Sequence, residues 1–184
     1  MHHIYLAGPD VFYKNAAEHF ELLEARLAQA GLKGMRPADG NLAQWRHLPP
    51  AQQAQRVYQE NHELLLRCDA VLANLEPFRS SIEPDSGTVF EVGFAVALNK
   101  PVVGLIPNRS RLEDRIHQSC GRTLDARGLP FDDKYGLLIE EFGLPLNLML
   151  ACSIPLCTSV DEALDVLVEK LRGACGSLRA ASPL

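Results

Sequence analysis

The chain has 184 residues, 47% of them hydrophobic and 22% charged, which suits a single globular domain and excludes a disordered chain. A net charge of −5 argues against a protein whose main work is gripping nucleic acid or anionic membrane. No apolar run reaches membrane-spanning length, no basic n-region leads into an apolar h-region, and neither the five cysteines nor the six histidines fall at zinc-ligand spacing. Reduced thiols in a cytoplasmic protein are the expectation.

In chain order, residues 2–8 (HHIYLAG) predict a strand closed by the turn Gly8-Pro9. Asn15 opens a helix of apolar residues at helical spacing that stops at Gly31, and a weak strand follows in LKGMRPADG. Residues 38–50 read as a loop, 50–68 as a second helix and 69–76 (DAVLANLE) as a strand. The loop PFRSSIEPDSG leads to a helix, TVFEVGFAVALNK, and a strand, PVVGLIP. Residues 108–119 suggest a short arginine-rich helix and 120–143 an excursion punctuated by glycine and proline. A short apolar helix (145–152), a strand (154–159) and a helix from 160 to 173 complete the domain, set at 1–172, and a disordered tail is expected over 173–184. Apolar strands alternating with helices predict an α/β fold: one doubly wound, flavodoxin- or Rossmann-like domain on a five-stranded, mainly parallel sheet. Ligands of such sheets sit at the carboxyl ends of the strands.

The stretch EPDSGTVFEVG carries the chemistry. From Val89 to Leu98 every residue is apolar or glycine except Glu91, so a helix buried on all faces is expected to hold one carboxylate. An unpartnered buried carboxylate is costly, and a helix that keeps one marks a candidate functional site. Glu91 lies about one turn inside the helix start, where the dipole favours an anion, as a nucleophile at a sugar carbon requires. Asp85 has the sequence context of a helix N-cap, and it is equally the second acid that glycosidic cleavage uses on the leaving group. On residues alone, Asp69 reads as a strand-edge charge, Tyr5 as a packed aromatic, and Gly8-Pro9 as a plain turn.

Taken together, IYLAGPDVF, CDAVLANLEPF, EPDSGTVFEVGFAVALNKPVV and FGLPLNLML, in this order over residues 4–150, resemble the nucleoside 2-deoxyribosyltransferase family. The resemblance implies that Glu91 is the nucleophile that forms a covalent deoxyribosyl ester. It implies that Asp85 and Asp69 contact the base and assist its proton transfer, and that Tyr5 holds the nucleophile. It implies that Asn147, followed by Met149, reaches into a neighbouring subunit's site, which would make the protein a dimer or a trimer of dimers working in nucleotide salvage. Asp39 or Asn41 would supply a polar residue after the second strand, and Phe12 and Phe78, beside Gly8, would lie over the base. No metal or organic cofactor is implied; the substrates are 2′-deoxynucleosides and free nucleobases. Two other readings stand: an N-glycoside hydrolase of deoxynucleosides or their 5′-monophosphates, with Arg79, Ser80 and Ser81 as phosphate donors, and a non-catalytic nucleotide-binding domain.

Overall fold

The computed structural model describes residues 1–37 and 44–180, and side chains through residue 173. Asp39 and Asn41 lie outside the described residues. The elements follow the chain as β1 (His2–Ala7), a 3-10 turn (Pro9–Phe12), α1 (Ala16–Gln29), β2 (Leu32–Met35), α2 (Pro50–Arg67), β3 (Ala70–Asn74) and α3 (Ser86–Ala97). They continue as β4 (Val102–Leu105), α4 (Leu112–Cys120), β5 (Thr123–Leu124), β6 (Pro130–Phe131), α5 (Leu148–Ala151), β7 (Leu156–Cys157) and α6 (Val160–Ala180).

Five parallel strands form one sheet in the order β2-β1-β3-β4-β7. The chain adds β2 on one side of β1 and every later strand on the other. The turn after β1 and the loop after β3 therefore flank the switch point where a doubly wound sheet opens a crevice. The period of two along β1 sorts its side chains between the layers. Ile4 and Leu6 pack with Phe20 and Leu27 of α1 and Leu164 and Leu167 of α6. Tyr5 and Ala7 pack on the other face with Leu65 of α2 and Val92 and Ala95 of α3. That alternation aims Tyr5 at α3.

Three expectations change. The excursion contains a small antiparallel pair, β5–β6, apart from the main sheet. The last helix runs to Ala180, beyond the expected end near residue 172, through ACGSLRA, whose alanines, leucine and arginine favour helix; only residues 181–184 of the expected tail lie outside the description. Helix α3 is not buried all round. Val92 and Ala95 face the sheet, while Phe90 is 57% exposed and Ser86, Gly87, Gly93 and Ala97 share its open side. Composition gives a helix's hydrophobicity, but only the packing shows which stripe is covered, and on α3 an apolar stripe is left bare.

Among the described residues, Cys68, Cys120, Cys152 and Cys157 are free thiols. Burial pushes the Cys68 pKa up to about 11, and the buried Cys157 is raised for the same reason. Cys152 is exposed. Brief iodoacetamide treatment of the native protein at pH 8, followed by peptide mapping, is expected to label Cys152 while leaving Cys68 unmodified until the protein is denatured. Labelling of native Cys68 at the rate of Cys152 would contradict this packing.

Candidate active site

The centre of the site is a contact between β1 and α3. The Tyr5 hydroxyl donates to Glu91 Oε1 at 2.5 Å. Tyr5 is fully buried and cannot swing away, so it fixes where the half-buried Glu91 carboxylate sits. Charge-assisted O–H···O⁻ bonds are at their shortest in this range. Glu91 opens into a cavity of about 560 Å³. Gly87, Phe90, Glu91 and Phe94 line it from α3, at the spacing of one helix face, and Val57, Tyr58, Asn61 and His62 line it from α2. Val11 and Phe12, from the turn after β1, close one side. An apolar chamber of this size with one convergent carboxylate is the usual form of a small-molecule site.

Asp85 caps α3. Its Oδ2 accepts from the Thr88 amide at 2.9 Å and from the Thr88 hydroxyl at 3.1 Å. The cap supports the first turn of the helix, and Glu91 follows on the next. Capping and chemistry are compatible, because a carboxylate has lone pairs beyond the two used here.

The turn after β1 is braced by a polar cluster that the sequence reading missed. Asp10 is 5% exposed. Its Oδ1 accepts from Asn74 Nδ2 at 2.9 Å and lies 2.8 Å from His19 Nε2. Asn74 Nδ2 also donates to the Tyr13 hydroxyl at 3.2 Å, and Asn74 Oδ1 accepts from the Glu76 amide at 3.1 Å. Burial, and then the neighbouring Asp10 charge, raise the Tyr13 pKa, so the phenol stays protonated. Gly8 makes the arrangement possible: a Cβ there would collide with Asp10 Oδ2 and stand 2.9 Å from Asn74 Cβ. The network ties the two loops of the switch point together beside Val11 and Phe12 of the cavity wall. Its signal in the sequence was the carboxyl end of the third strand, Asn74 and Glu76, where the sheet rule points.

Asp69 belongs elsewhere. It precedes β3 at the amino end of the sheet, where its Oδ2 accepts from the His3 amide at 2.7 Å. That contact is the strand-edge reading, and Asp69 does not line the Glu91 cavity of its own chain. Phe12 lies at the cavity and stacks on Phe78 with ring centroids 5.5 Å apart. The Arg79 guanidinium sits over both rings, 4.7 Å from Phe78 and 5.2 Å from Phe12. Asn147 and Met149 do not line the Glu91 cavity of their own chain. They border a second groove of about 390 Å³ with Val89, Val92, Gly93 and Val96, the neighbouring face of α3. Asn147 caps α5, its Oδ1 accepting from the Met149 amide at 3.0 Å, and Met149 is 74% exposed. Among the described residues, no three His, Cys, Asp or Glu side chains gather as metal ligands, and no helix is long and apolar enough to cross a membrane.

The family described as nucleoside 2-deoxyribosyltransferase matches residues 4–149, which span β1, the switch-point loops, α3 and the Asn147 cap. The chain belongs to the nucleoside 2-deoxyribosyltransferase family. A solved 2-desoxiribosyltransferase from Leishmania mexicana is 30% identical and superposes with a TM-score of 0.69, covering 92% of this chain and 98% of that one. An uncharacterized protein of Schizosaccharomyces pombe is 30% identical over 155 residues, 79% of this chain and 74% of its own length. A conserved protein from Enterococcus faecalis, 18% identical with a TM-score of 0.56 over 92% of this chain and 99% of its own, shares the fold. Membership of the family supports nucleoside deoxyribosyltransferase or related N-glycosidase activity.

Proposed function

We propose that this enzyme transfers 2-deoxyribose from one nucleobase to another through a covalent ester on Glu91. The observation that carries the reading is the Tyr5–Glu91 bond at 2.5 Å on the wall of an apolar cavity at the start of α3. A carboxylate held in place, part-desolvated and facing the positive end of a helix is a poised nucleophile. One Glu91 oxygen attacks C1′ of the deoxynucleoside. The C1′–N bond breaks, its electron pair leaves with the base, and Asp85 or a bound water supplies the proton. A second base attacks C1′ of the ester, returns Glu91 as carboxylate, and gives up its proton by the same route. Two inversions yield net retention. Phe12 and Phe78 offer aromatic faces for the base. The likeness to the 2-desoxiribosyltransferase from Leishmania mexicana supports this reading.

Asn147 would serve the cavity of a neighbouring copy, contacting the sugar's 5′-hydroxyl, in a homo-oligomer with shared sites. In support, Asn147 lines a different groove from its own Glu91 cavity, and the bare stripe of α3 around Phe90 gives a second copy an apolar surface to cover. Hydrolysis of a 5′-monophosphate fits less well, because the turn after β1 carries the buried acid Asp10 where a phosphate site needs donors. Arg79 is stacked on Phe12 and Phe78, Ser80 Oγ accepts from the Ile82 and Glu83 amides, and Ser81 Oγ pairs with Ser119 Oγ at 2.6 Å. The free thiols suit a reducing, cytoplasmic setting.

The test is incubation with deoxyinosine or thymidine and a panel of free bases, followed by chromatography. New deoxynucleosides are expected, with free sugar a minor product. Sugar release at one rate with or without an acceptor base would make the enzyme a hydrolase, and tight binding without turnover would make it a binding domain. Within this scheme Tyr5→Phe is expected to lower kcat/KM by about 10- to 100-fold, the worth of one hydrogen bond to a charged group. A rate unchanged from wild type would show that Tyr5 packs without positioning.

A further inference from the structure

Arg115 on α4 is 7% exposed, and its guanidinium donates to the carbonyls of three loops, two of which lead to Asp85 and Asn147. Nη2 donates to the Ile82 carbonyl at 3.1 Å and to the Pro145 carbonyl at 2.6 Å. Nε donates to the same Ile82 carbonyl at 3.3 Å, and Nη1 donates to the Ser110 carbonyl at 2.5 Å. No carboxylate among the described residues pairs with it within salt-bridge distance. Burial pulls the Arg115 pKa down, and Glu83 opposes the shift. A buried charge neutralised by backbone dipoles is expensive to keep, and a hydrophobic side chain would fill the space at less cost. The planar fork, in contrast, holds carbonyls of three separate segments in one fixed geometry, which a lysine's compact ammonium does not reproduce.

The carbonyls are well chosen. Ile82 stands three residues before Asp85, and Pro145 two residues before Asn147. The rest of α4 strengthens the same pair of attachments. Ser119 meets Ser81 on the first loop, while the Leu112 amide donates to the Leu144 carbonyl at 2.8 Å and Glu113 Oε1 accepts from the Gly143 amide at 3.1 Å on the second.

We propose that Arg115 is a positioning residue that locks the Asp85 loop and the Asn147 segment into one unit, so that each subunit's own site and the residue it lends to its neighbour move together. This rests on the roles given to Asp85 and Asn147 under the proposed function. Arg115 touches neither substrate nor reacting atoms.

The test uses Arg115→Lys, with Arg115→Gln as a second variant that removes the buried charge, and has two arms. In hydrogen exchange, residues 80–88 and 144–150 are expected to exchange about tenfold faster together, while α1 and α6 keep wild-type protection. Unchanged exchange in either segment, or an equal rise throughout the chain, overturns the lock. In kinetics, Arg115→Lys is expected to lower kcat/KM about tenfold in the wild-type background and at least about threefold less on each of the Asn147→Ala and Asp85→Asn backgrounds, because residues in one unit do not add. The same factor on either background overturns the link. Wild-type turnover is read first: a wild type that neither transfers nor hydrolyses refutes the proposed function, and the exchange arm still decides the lock.

Discussion

Glu91→Gln is expected to abolish deoxyribosyl transfer, with kcat/KM falling about 10⁴-fold or more, since a covalent mechanism loses its first step with its nucleophile. The fold should survive. Glutamine has the same shape, and its carbonyl oxygen can still accept the Tyr5 hydroxyl that now bonds Glu91 at 2.5 Å. The substitution also relieves the cost of holding a charge half-buried in an apolar chamber, so the melting temperature should hold or rise, as is common where activity is maintained against stability. Deoxynucleoside binding should persist, because the aromatic lining is untouched. The decisive pattern is lost turnover with retained affinity and an undiminished melting temperature. Wild-type turnover in Glu91→Gln would remove the carboxylate from the chemistry and leave it a buried helix glutamate.

Asp85 gives the second large effect, and two substitutions separate its two roles. Asp85→Ala removes both the cap and the acid. It is expected to cost about 1 kcal/mol of stability through the lost bond to the Thr88 amide and about 10²- to 10⁴-fold in rate through lost proton transfer. Asp85→Asn keeps the cap, because asparagine caps helices as well as aspartate does, but it cannot shuttle the proton. The prediction is an Asp85→Asn enzyme with wild-type melting temperature and a rate loss close to that of Asp85→Ala. If Asp85→Asn is fully active and only Asp85→Ala is impaired, the residue is a cap and nothing more. A poor leaving base should suffer more from Asp85→Asn than an activated one whose departure needs less help, and comparing the two donors checks the proton-transfer role directly.

The layout was readable wherever the sequence carried a period or a terminator. The five strands and the helices between them follow from apolar runs closed by Gly8-Pro9, Gly31 and Pro101. The position of Glu91 near the start of α3 follows from EPDSG, an N-cap sequence. The partnership of Tyr5 with Glu91 came from family resemblance, because 86 residues separate them and only the β1–α3 contact joins them. That Asp69 stands at the amino end of β3 was not legible either. An acid at the start of a strand and an acid at its end look alike in a list of residue types, yet only the carboxyl end faces the crevice. The Asp10–Asn74–Tyr13 cluster escaped because short polar residues in turns have many local uses, and their convergence needs the fold. The open stripe of α3 escaped because hydrophobicity does not record what covers it. Arg115 was visible only as one basic residue in an arginine-rich helix; its burial and its carbonyl partners belong to tertiary structure alone.

The central claim is the bond between C1′ and a Glu91 oxygen, and it can be weighed. Wild-type enzyme is mixed with excess deoxynucleoside and no acceptor base, quenched in acid within the first turnovers, digested, and mapped by mass spectrometry, with Glu91→Gln treated in parallel. A mass increase of one deoxyribosyl unit is expected on the peptide that carries Glu91, absent from Glu91→Gln and lost on adding a free base as the new deoxynucleoside forms. Turnover with no adduct at any time, together with product of inverted anomeric configuration, would contradict it, and so would an adduct that maps to any other residue.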